Sequence, residues 1–153
     1  MDRTGAKLND AATILIVEDN PDDAELIAYA FDKVGVPNLL VAVADGDAAV
    51  EYLSGTGAYA DRRRHPLPAL ILLDLKMPKR SGFEVLAFLR IEEATRHTPV
   101  VVLTSSNQQA DIERAYALGA NSYLVKPVSR DKLIDMIRSL DAYWLKLNQV
   151  DAR

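Results

Sequence analysis

Five short apolar segments alternate with five segments of helical periodicity, and this alternation restricts the possible fold more than any other feature of the chain. The apolar segments are rich in Val, Ile and Leu, as strands buried on both faces are. They cover residues 13–17, 39–44, 70–73, 99–103 and 122–125. Strands that alternate with helices are joined by right-handed crossovers into a parallel sheet covered on both faces. The pattern therefore predicts an α/β fold.

Five parallel strands are too few to close an eight-stranded barrel, so the expected architecture is an open, doubly wound sheet. We expect the strand order 2-1-3-4-5, five helices, and a switch point between strands one and three. The carboxyl ends of all the strands then lie at one edge of the sheet, where ligands bind in such folds. Residues that directly follow the strands are the first candidates for a functional site.

Capping residues mark where several helices begin and end. Ser81 and Glu84 match a capping box before the third helix, and Ser129 is suited to cap the last one, which we expect to run through Leu147. A chain of 153 residues suits one domain. We expect a flexible N-terminus at residues 1–12, one domain at 13–147 and a C-terminal tail at 148–153.

The polar stretch at residues 54–68 predicts a surface loop. Its basic run, Arg62 to His65, has the ordinary explanation of a solvated charge cluster.

Composition excludes several classes of function. The chain has no cysteine, so disulfides, thiolate metal sites and cysteine nucleophiles are absent. A formal net charge of -4 argues against a general nucleic-acid binder. No apolar run approaches the length that crosses a bilayer, and residues 1–10 lack the apolar core of a signal peptide. We expect a cytoplasmic protein without membrane contact.

Acidic residues follow two strands that the predicted order makes neighbours. Glu18 and Asp19 follow strand one, and Asp74 follows strand three. Crowded carboxylates raise one another's pKa values unless a cation relieves the repulsion. Mg²⁺ prefers such oxygen ligands and commonly binds one or two carboxylates together with a phosphoryl oxygen. The cluster therefore indicates a magnesium site.

Strands four and five bring a hydroxyl and an ammonium to the same edge. Thr104 ends strand four and Lys126 follows strand five, and both groups are suited to phosphoryl oxygens. Each of these residues alone has a structural explanation, such as a solvated strand-end acid or a surface lysine. At the ends of four different strands, they favour a site for phosphoryl transfer onto an aspartate.

At these residues the chain resembles the receiver domain of two-component response regulators, which has a flavodoxin-like (CheY-like) fold. The resemblance extends from Thr13 to about Leu140. It implies that Asp74 accepts a phosphoryl group from a histidine kinase. It also implies that Asp19 and Asp74 bind Mg²⁺ directly together with the main-chain carbonyl of Lys76, while Glu18 acts through water.

The resemblance further assigns roles to residues on strands four and five. Thr104 and Lys126 would hold the phosphoryl oxygens, and the bond between Lys126 and Pro127 would be cis, which costs little before proline. Tyr123 would be a switch residue coupled to Thr104. The family varies at the positions of Lys76 and Ser106, and neither residue is an acid or an amide that is well placed to orient an attacking water. We therefore expect slow self-dephosphorylation.

Output is expected to pass through protein contacts, because no DNA-binding or catalytic module is expected after the last helix. A helix through Leu147 would overhang the sheet and expose Trp144, Leu145 and Leu147. This surface predicts a homodimer through helix four, strand five and helix five, or alternatively a helix end folded onto its own core. The protein would be a signalling switch and not a turnover enzyme.

The loop at 54–68, the turn at 104–107 and the Tyr143–Trp144 end resemble stand-alone regulators that accompany phytochrome histidine kinases. This implies a bacteriophytochrome as a candidate partner. An alternative role is a relay intermediate that passes the phosphoryl group to a downstream histidine phosphotransfer protein.

Two other classes share part of the pattern. A haloacid-dehalogenase-type phosphatase needs a second acid two residues after its aspartate, where this chain has Lys76. A flavin binder needs a phosphate loop rich in Ser, Thr and Gly, where this chain has Glu18 to Pro21.

Overall fold

The computed structural model describes residues 12–147. The expected flexible N-terminus, except for its last residue, and the expected C-terminal tail lie outside these described residues.

The described residues form one parallel sheet in the expected order, β2-β1-β3-β4-β5. The strands are β1 (Thr13–Val17), β2 (Leu39–Val43), β3 (Leu70–Leu73), β4 (Val100–Thr104) and β5 (Ser122–Val125). The three inner strands are buried along their whole length, whereas β2 and β5 at the edges are partly exposed. The predicted fold class and topology are confirmed, because each apolar run meets helices on both faces of the sheet.

Five α-helices cover the two faces of this sheet within residues 12–147. They are α1 (Pro21–Val34), α2 (Gly46–Ser54), α3 (Gly82–Ile91), α4 (Gln109–Ala117) and α5 (Arg130–Leu140). Helices α1 and α5 pack against each other over one apolar cluster, while α2, α3 and α4 border the other. The Ser81–Glu84 capping box is present, and the Ser129 side chain accepts the Lys132 amide. No helix in this part of the chain combines the length and apolar character needed to span a membrane.

The last helix differs from its prediction. The α-helix ends at Leu140, and a π-helix follows over Asp141–Leu147. A π-helix spaces its hydrogen bonds by five residues instead of four, so the residues that face the core shift around the axis. The Asp141–Lys146 ion pair, at 2.9 Å, has this five-residue spacing.

Because of this shift, the prediction of an exposed apolar overhang is wrong in part. Leu145 is only 6% exposed and belongs to the core between α1 and α5. Trp144 is half-buried against the same core. Tyr143, which was not among the residues expected on the overhang, is exposed. The side chain of Leu147 lies outside the described residues.

The loop between α2 and β3 contains a 3-10 turn at Gly57–Tyr59 and is held by one of its own arginines. The Arg62 guanidinium donates hydrogen bonds to the carbonyls of Tyr52 and Leu53 at the end of α2 and to the carbonyl of His65. The prediction of a solvated basic run is therefore wrong for Arg62, because the end of a helix leaves carbonyls that need donors. Arg63 and Arg64 are exposed as expected.

Candidate functional site

The acidic residues after β1 and β3 lie side by side. Val17 pairs with Leu73 in the parallel register, and the Asp74 amide donates to the Val17 carbonyl at 3.0 Å. The carboxylates of Glu18, Asp19 and Asp74 each place an oxygen within 4.8 Å of the others. Glu18 and Asp74 are buried, and Asp19 is half-buried. The structure thus brings together all three predicted acids.

The Lys126 ammonium lies among carboxylates at the centre of this site. Its Nζ is 2.5 Å from Glu18 Oε1, 3.2 Å from Asp74 Oδ2 and 2.9 Å from Asp23 Oδ2. The Lys126 amide donates to the Thr104 carbonyl at 2.7 Å, which fixes the residue at the end of β5. Lys126 therefore lies where the sequence predicted it.

The expected cis bond between Lys126 and Pro127 is wrong, because every peptide bond within residues 12–147 is trans. The trans isomer is the favoured one before proline as elsewhere.

Burial makes Glu18 an unusual acid. Desolvation, reinforced by the negative charge of Asp74, raises the pKa of Glu18 to about 7. Hydrogen bonds from Lys126 and from the Asn20 amide lower the pKa of Glu18 and only partly offset this effect. Without a metal, Glu18 therefore changes its protonation near neutral pH.

Lys126 responds to the same surroundings in the opposite way. Burial alone lowers the pKa of Lys126, but hydrogen bonds to Glu18 and Asp23 and the charges of Asp74 and Glu18 raise it above its usual value. Lys126 is therefore a permanent cation of the site.

Asp23 is a member of the site that the sequence analysis missed. An acid in the first turn of a helix ordinarily needs no further explanation, because it interacts favourably with the helix N-terminus. Helix α1 begins four residues after Val17, so its first turn also lies at the carboxyl edge of the sheet. Asp23 and Lys126 are 103 residues apart, and the predicted strand order alone does not show that their side chains meet.

Thr104 and Tyr123 lie on the two strands beyond Asp74. Thr104 is fully buried at the end of β4, and the Ser106 amide approaches its Oγ1 at 3.5 Å. The Tyr123 hydroxyl donates to the Ser106 carbonyl at 2.9 Å. The predicted switch pair is thus connected through Ser106 in the loop between β4 and α4.

The loop after Asp74 borders a cleft of about 450 Å³ beside the acids. Lys76 lines this cleft together with Asp19, Phe83 and Arg114. The Lys76 ammonium forms an ion pair with Asp111 at 3.2 Å. The predicted ligand group of Lys76, its main-chain carbonyl, belongs to this same loop.

Gly82 allows the loop to close tightly over the end of β3. A Cβ on Gly82 would overlap the Asp74 carbonyl oxygen and lie 2.7 Å from Leu75 Cα. The Gly82 amide donates to the Leu75 carbonyl at 2.9 Å, and the Leu75 amide donates to Asp74 Oδ1 at 2.7 Å. One carboxylate oxygen of Asp74 is held by the backbone, while the other contacts Lys126.

The donor set fits a hard divalent cation. Carboxylate oxygens within 4.8 Å of one another are the ligands that Mg²⁺, Ca²⁺ and Mn²⁺ prefer. A cation there would also relieve the repulsion that contributes to the raised pKa of Glu18. The arrangement combines a buried nucleophilic carboxylate, a cation site and a fixed ammonium, which suits phosphoryl transfer.

Comparison with known proteins gives consistent results. The family model described as "Response regulator receiver domain" matches residues 14–138. The probable methanogenesis regulatory protein FilR2 of Methanothrix harundinacea is 41% identical over 143 residues, which are 92% of this chain and 88% of that protein. Response regulator Rcp1 of Synechocystis is 36% identical over 138 residues, which are 90% of this chain and 92% of Rcp1.

Solved structures agree with these sequence relatives. The Mn²⁺-bound form of Rcp1 has a TM-score of 0.83 at 35% identity and covers 92% of this chain and 99% of Rcp1. The phosphorylated cyanobacterial phytochrome response regulator RcpA has a TM-score of 0.85 at 36% identity, and the match covers 92% of this chain and 98% of RcpA.

Proposed function

Because this chain belongs to the response regulator receiver domain family, we propose that Asp74 accepts a phosphoryl group from a histidine kinase of a two-component phosphorelay. The observation that carries the proposal is the position of Asp74: its carboxylate is buried among Glu18, Asp19 and Lys126 at the carboxyl edge of the sheet. A phosphorylated phytochrome response regulator among the structural neighbours supports the same reaction.

In the proposed reaction, an oxygen of the Asp74 carboxylate forms a bond to phosphorus. The bond between phosphorus and the donor imidazole nitrogen breaks, and its electron pair stays on the nitrogen, which takes up a proton from solvent. The Lys126 ammonium neutralises charge on the phosphoryl oxygens, and the Thr104 hydroxyl donates a hydrogen bond to one of them. The protein then holds the group and does not turn over substrate as an enzyme does.

We propose Mg²⁺ as the physiological cation. Glu18, Asp19, Asp74 and the Lys76 carbonyl would hold it, with Glu18 acting through water. The bound cation supplies positive charge beside the phosphoryl oxygens. The Mn²⁺-bound Rcp1 structure supports a divalent cation in this family.

Signalling is proposed to pass through Thr104 and Tyr123. The Thr104 hydroxyl would turn toward the phosphoryl group and leave space beside β4. The Tyr123 ring would then move into this space. In the present structure, the Tyr123 hydroxyl instead holds the Ser106 carbonyl. Phosphorylation would therefore free the Ser106 carbonyl from Tyr123.

We propose that the protein forms a homodimer through the face of α4, β5 and α5. A groove of about 480 Å³ lies between β5, α5 and the π-helix. Its lining combines apolar and aromatic side chains with one lysine, one aspartate and two serines: Ser122, Leu124, Lys132, Asp135, Met136, Ser139, Leu140, Tyr143 and Trp144. A face with apolar surface and both signs of charge can be complementary to itself across a two-fold axis.

Light scattering at tens of micromolar, with and without beryllofluoride, tests the dimer. We expect Tyr143→Ser to weaken the dimer, because Tyr143 is 53% exposed on this face. Tyr29→Ser changes an exposed tyrosine on α1 and serves as the control. A monomer under both conditions would exclude the dimer.

The proposed partner is a sensor histidine kinase, with a bacteriophytochrome as the favoured type. The support is the similarity to RcpA and Rcp1 over nine-tenths of this chain. We propose that the protein works in the cytoplasm, where such a kinase domain would meet it.

The decisive experiment is phosphorylation of the purified protein with phosphoramidate and Mg²⁺, followed by intact mass. Wild type should gain the mass of one phosphoryl group, and Asp74→Asn should gain none. Asp22→Asn changes an exposed acid of α1 and should behave like wild type. A wild type that gains no mass, or an Asp74→Asn variant that does, would refute the proposed function.

A further inference from the structure

Asp111, in the first turn of α4, connects the two loops that carry Lys76 and Ser106. The Ser106 hydroxyl donates to Asp111 Oδ2 at 2.6 Å. The Lys76 Nζ lies 3.2 Å from the same oxygen. One carboxylate oxygen thus holds the side chains that stand two residues after Thr104 and two residues after Asp74.

The Ser106 hydroxyl is engaged both as a donor and as an acceptor. Its hydroxyl proton is donated to Asp111, and its hydroxyl oxygen accepts the Gln108 amide at 3.3 Å. A hydroxyl with its donor and an acceptor position occupied has little capacity left to orient a water molecule.

Asp111 is paired with both of these side chains through one oxygen. The Ser106 hydroxyl and the Lys76 ammonium both contact its Oδ2 atom. The adjacent ammonium balances the charge of the carboxylate, which makes Asp111 a weaker proton acceptor than an unpaired carboxylate.

Loss of the phosphoryl group from Asp74 requires such a water. The water oxygen forms a bond to phosphorus while the bond from phosphorus to the Asp74 carboxylate oxygen breaks. The electron pair returns to the carboxylate, and the water gives up a proton. A side chain that orients or deprotonates the water accelerates this step.

We propose that Asp111 is a positioning residue that prolongs the life of phospho-Asp74 by engaging both Ser106 and Lys76, so that neither orients an attacking water. The inference rests on the proposed function, because it concerns the same phosphoryl group. It explains slow self-dephosphorylation by a third residue, Asp111, in addition to the identities of Lys76 and Ser106.

The test measures decay of the phosphorylated protein. Wild type and Asp111→Ala are phosphorylated with phosphoramidate and Mg²⁺, the donor is removed, and intact mass is followed with time. Asp111→Ala should lose the phosphoryl group at least about threefold faster, since orienting a water gives less than the roughly 10²-fold effect of a general base. Asp111→Asn, which keeps an acceptor for Ser106 but not the charge, should lie between them.

A double-mutant cycle separates positioning from a general structural effect. In a Ser106→Ala/Lys76→Ala background, adding Asp111→Ala should change the decay rate no further. Glu113→Ala removes an exposed acid from the same helix and should leave the rate unchanged. Equal decay of wild type and Asp111→Ala, or equal acceleration in both backgrounds, would overturn this inference. A wild type that is not phosphorylated at all would instead overturn the proposed function.

Discussion

Raising the pH from about 6 to about 8 should strengthen Mg²⁺ binding roughly tenfold, because a proton on Glu18 competes with the cation. Glu18 is 3% exposed, and burial raises the pKa of its carboxyl to about 7. A protonated Glu18 contributes no negative charge to the metal site. Binding of the cation therefore requires that this proton leave.

The size of the effect follows from simple competition between one proton and the cation. With a pKa of about 7, roughly one protein molecule in ten has an ionised Glu18 at about pH 6. At about pH 8 the ionised fraction is roughly nine in ten. The ratio of these fractions gives the roughly tenfold change in apparent affinity.

Isothermal titration calorimetry at several pH values measures this dependence directly. Near pH 7, heats measured in buffers of different ionisation enthalpy should also show release of about half a proton for each ion bound. Glu18→Gln should bind Mg²⁺ more weakly and with almost no pH dependence in this range. Asp22→Asn, with the exposed acid changed, should retain the wild-type slope.

Two results would refute this reasoning. Wild-type affinity that is constant between about pH 6 and about pH 8 would show that Glu18 is already ionised throughout. A Glu18→Gln variant that keeps the wild-type slope would assign the proton to another group.

Three further predictions concern stability. Without metal, Glu18 should stabilise the fold at low pH, because burial raises the pKa of its carboxyl from 4.5 to about 7. This contribution is complete below about pH 4.5 and is lost as the pH rises through about 7, so the free energy of unfolding in urea should fall by about 3 kcal/mol across this range. A Glu18→Gln variant with the same pH profile would disprove this origin. Arg90→Met should lower the free energy of unfolding by about 3 kcal/mol, because the Arg90 guanidinium donates to main-chain carbonyls around α3, β4 and β5. Arg138→Met, at an exposed ion pair, should cost less than about 1 kcal/mol, and similar losses for the two arginines would contradict the assignment. Gly82→Ala should lower both thermal stability and phosphorylation, since its Cβ would overlap the Asp74 carbonyl; normal melting and labelling would show that the loop adapts.

The sequence was sufficient to predict the fold because the features that set it are local. The apolar run of β3 is buried along its length, and the acid that follows it lies at the carboxyl edge as expected. Since every strand is parallel, the residues after β1, β3 and β5 had to converge once the strand order was known. The meeting of Glu18, Asp74 and Lys126 follows from that order.

The surroundings and partners of individual side chains were predicted less well. Arg62 belonged to an apparent solvated run, yet it caps the end of α2. Asp23 looked like a helix N-terminal acid, yet it pairs with Lys126 from the far end of the chain. Leu145 was expected on an exposed overhang, yet the π-helix turns it into the core.

The sequence by itself determined the α/β fold, the strand order and the residues that directly follow the strands at the carboxyl edge, because periodicity and strand ends are properties of short segments. Only the tertiary structure decided which partners those residues take. Asp111 holds Lys76 and Ser106 because three separate elements meet at one point, and no spacing along the chain records such a meeting. The raised pKa of Glu18 has the same origin, since burial and neighbouring charge arise only when the strands and helices are packed together.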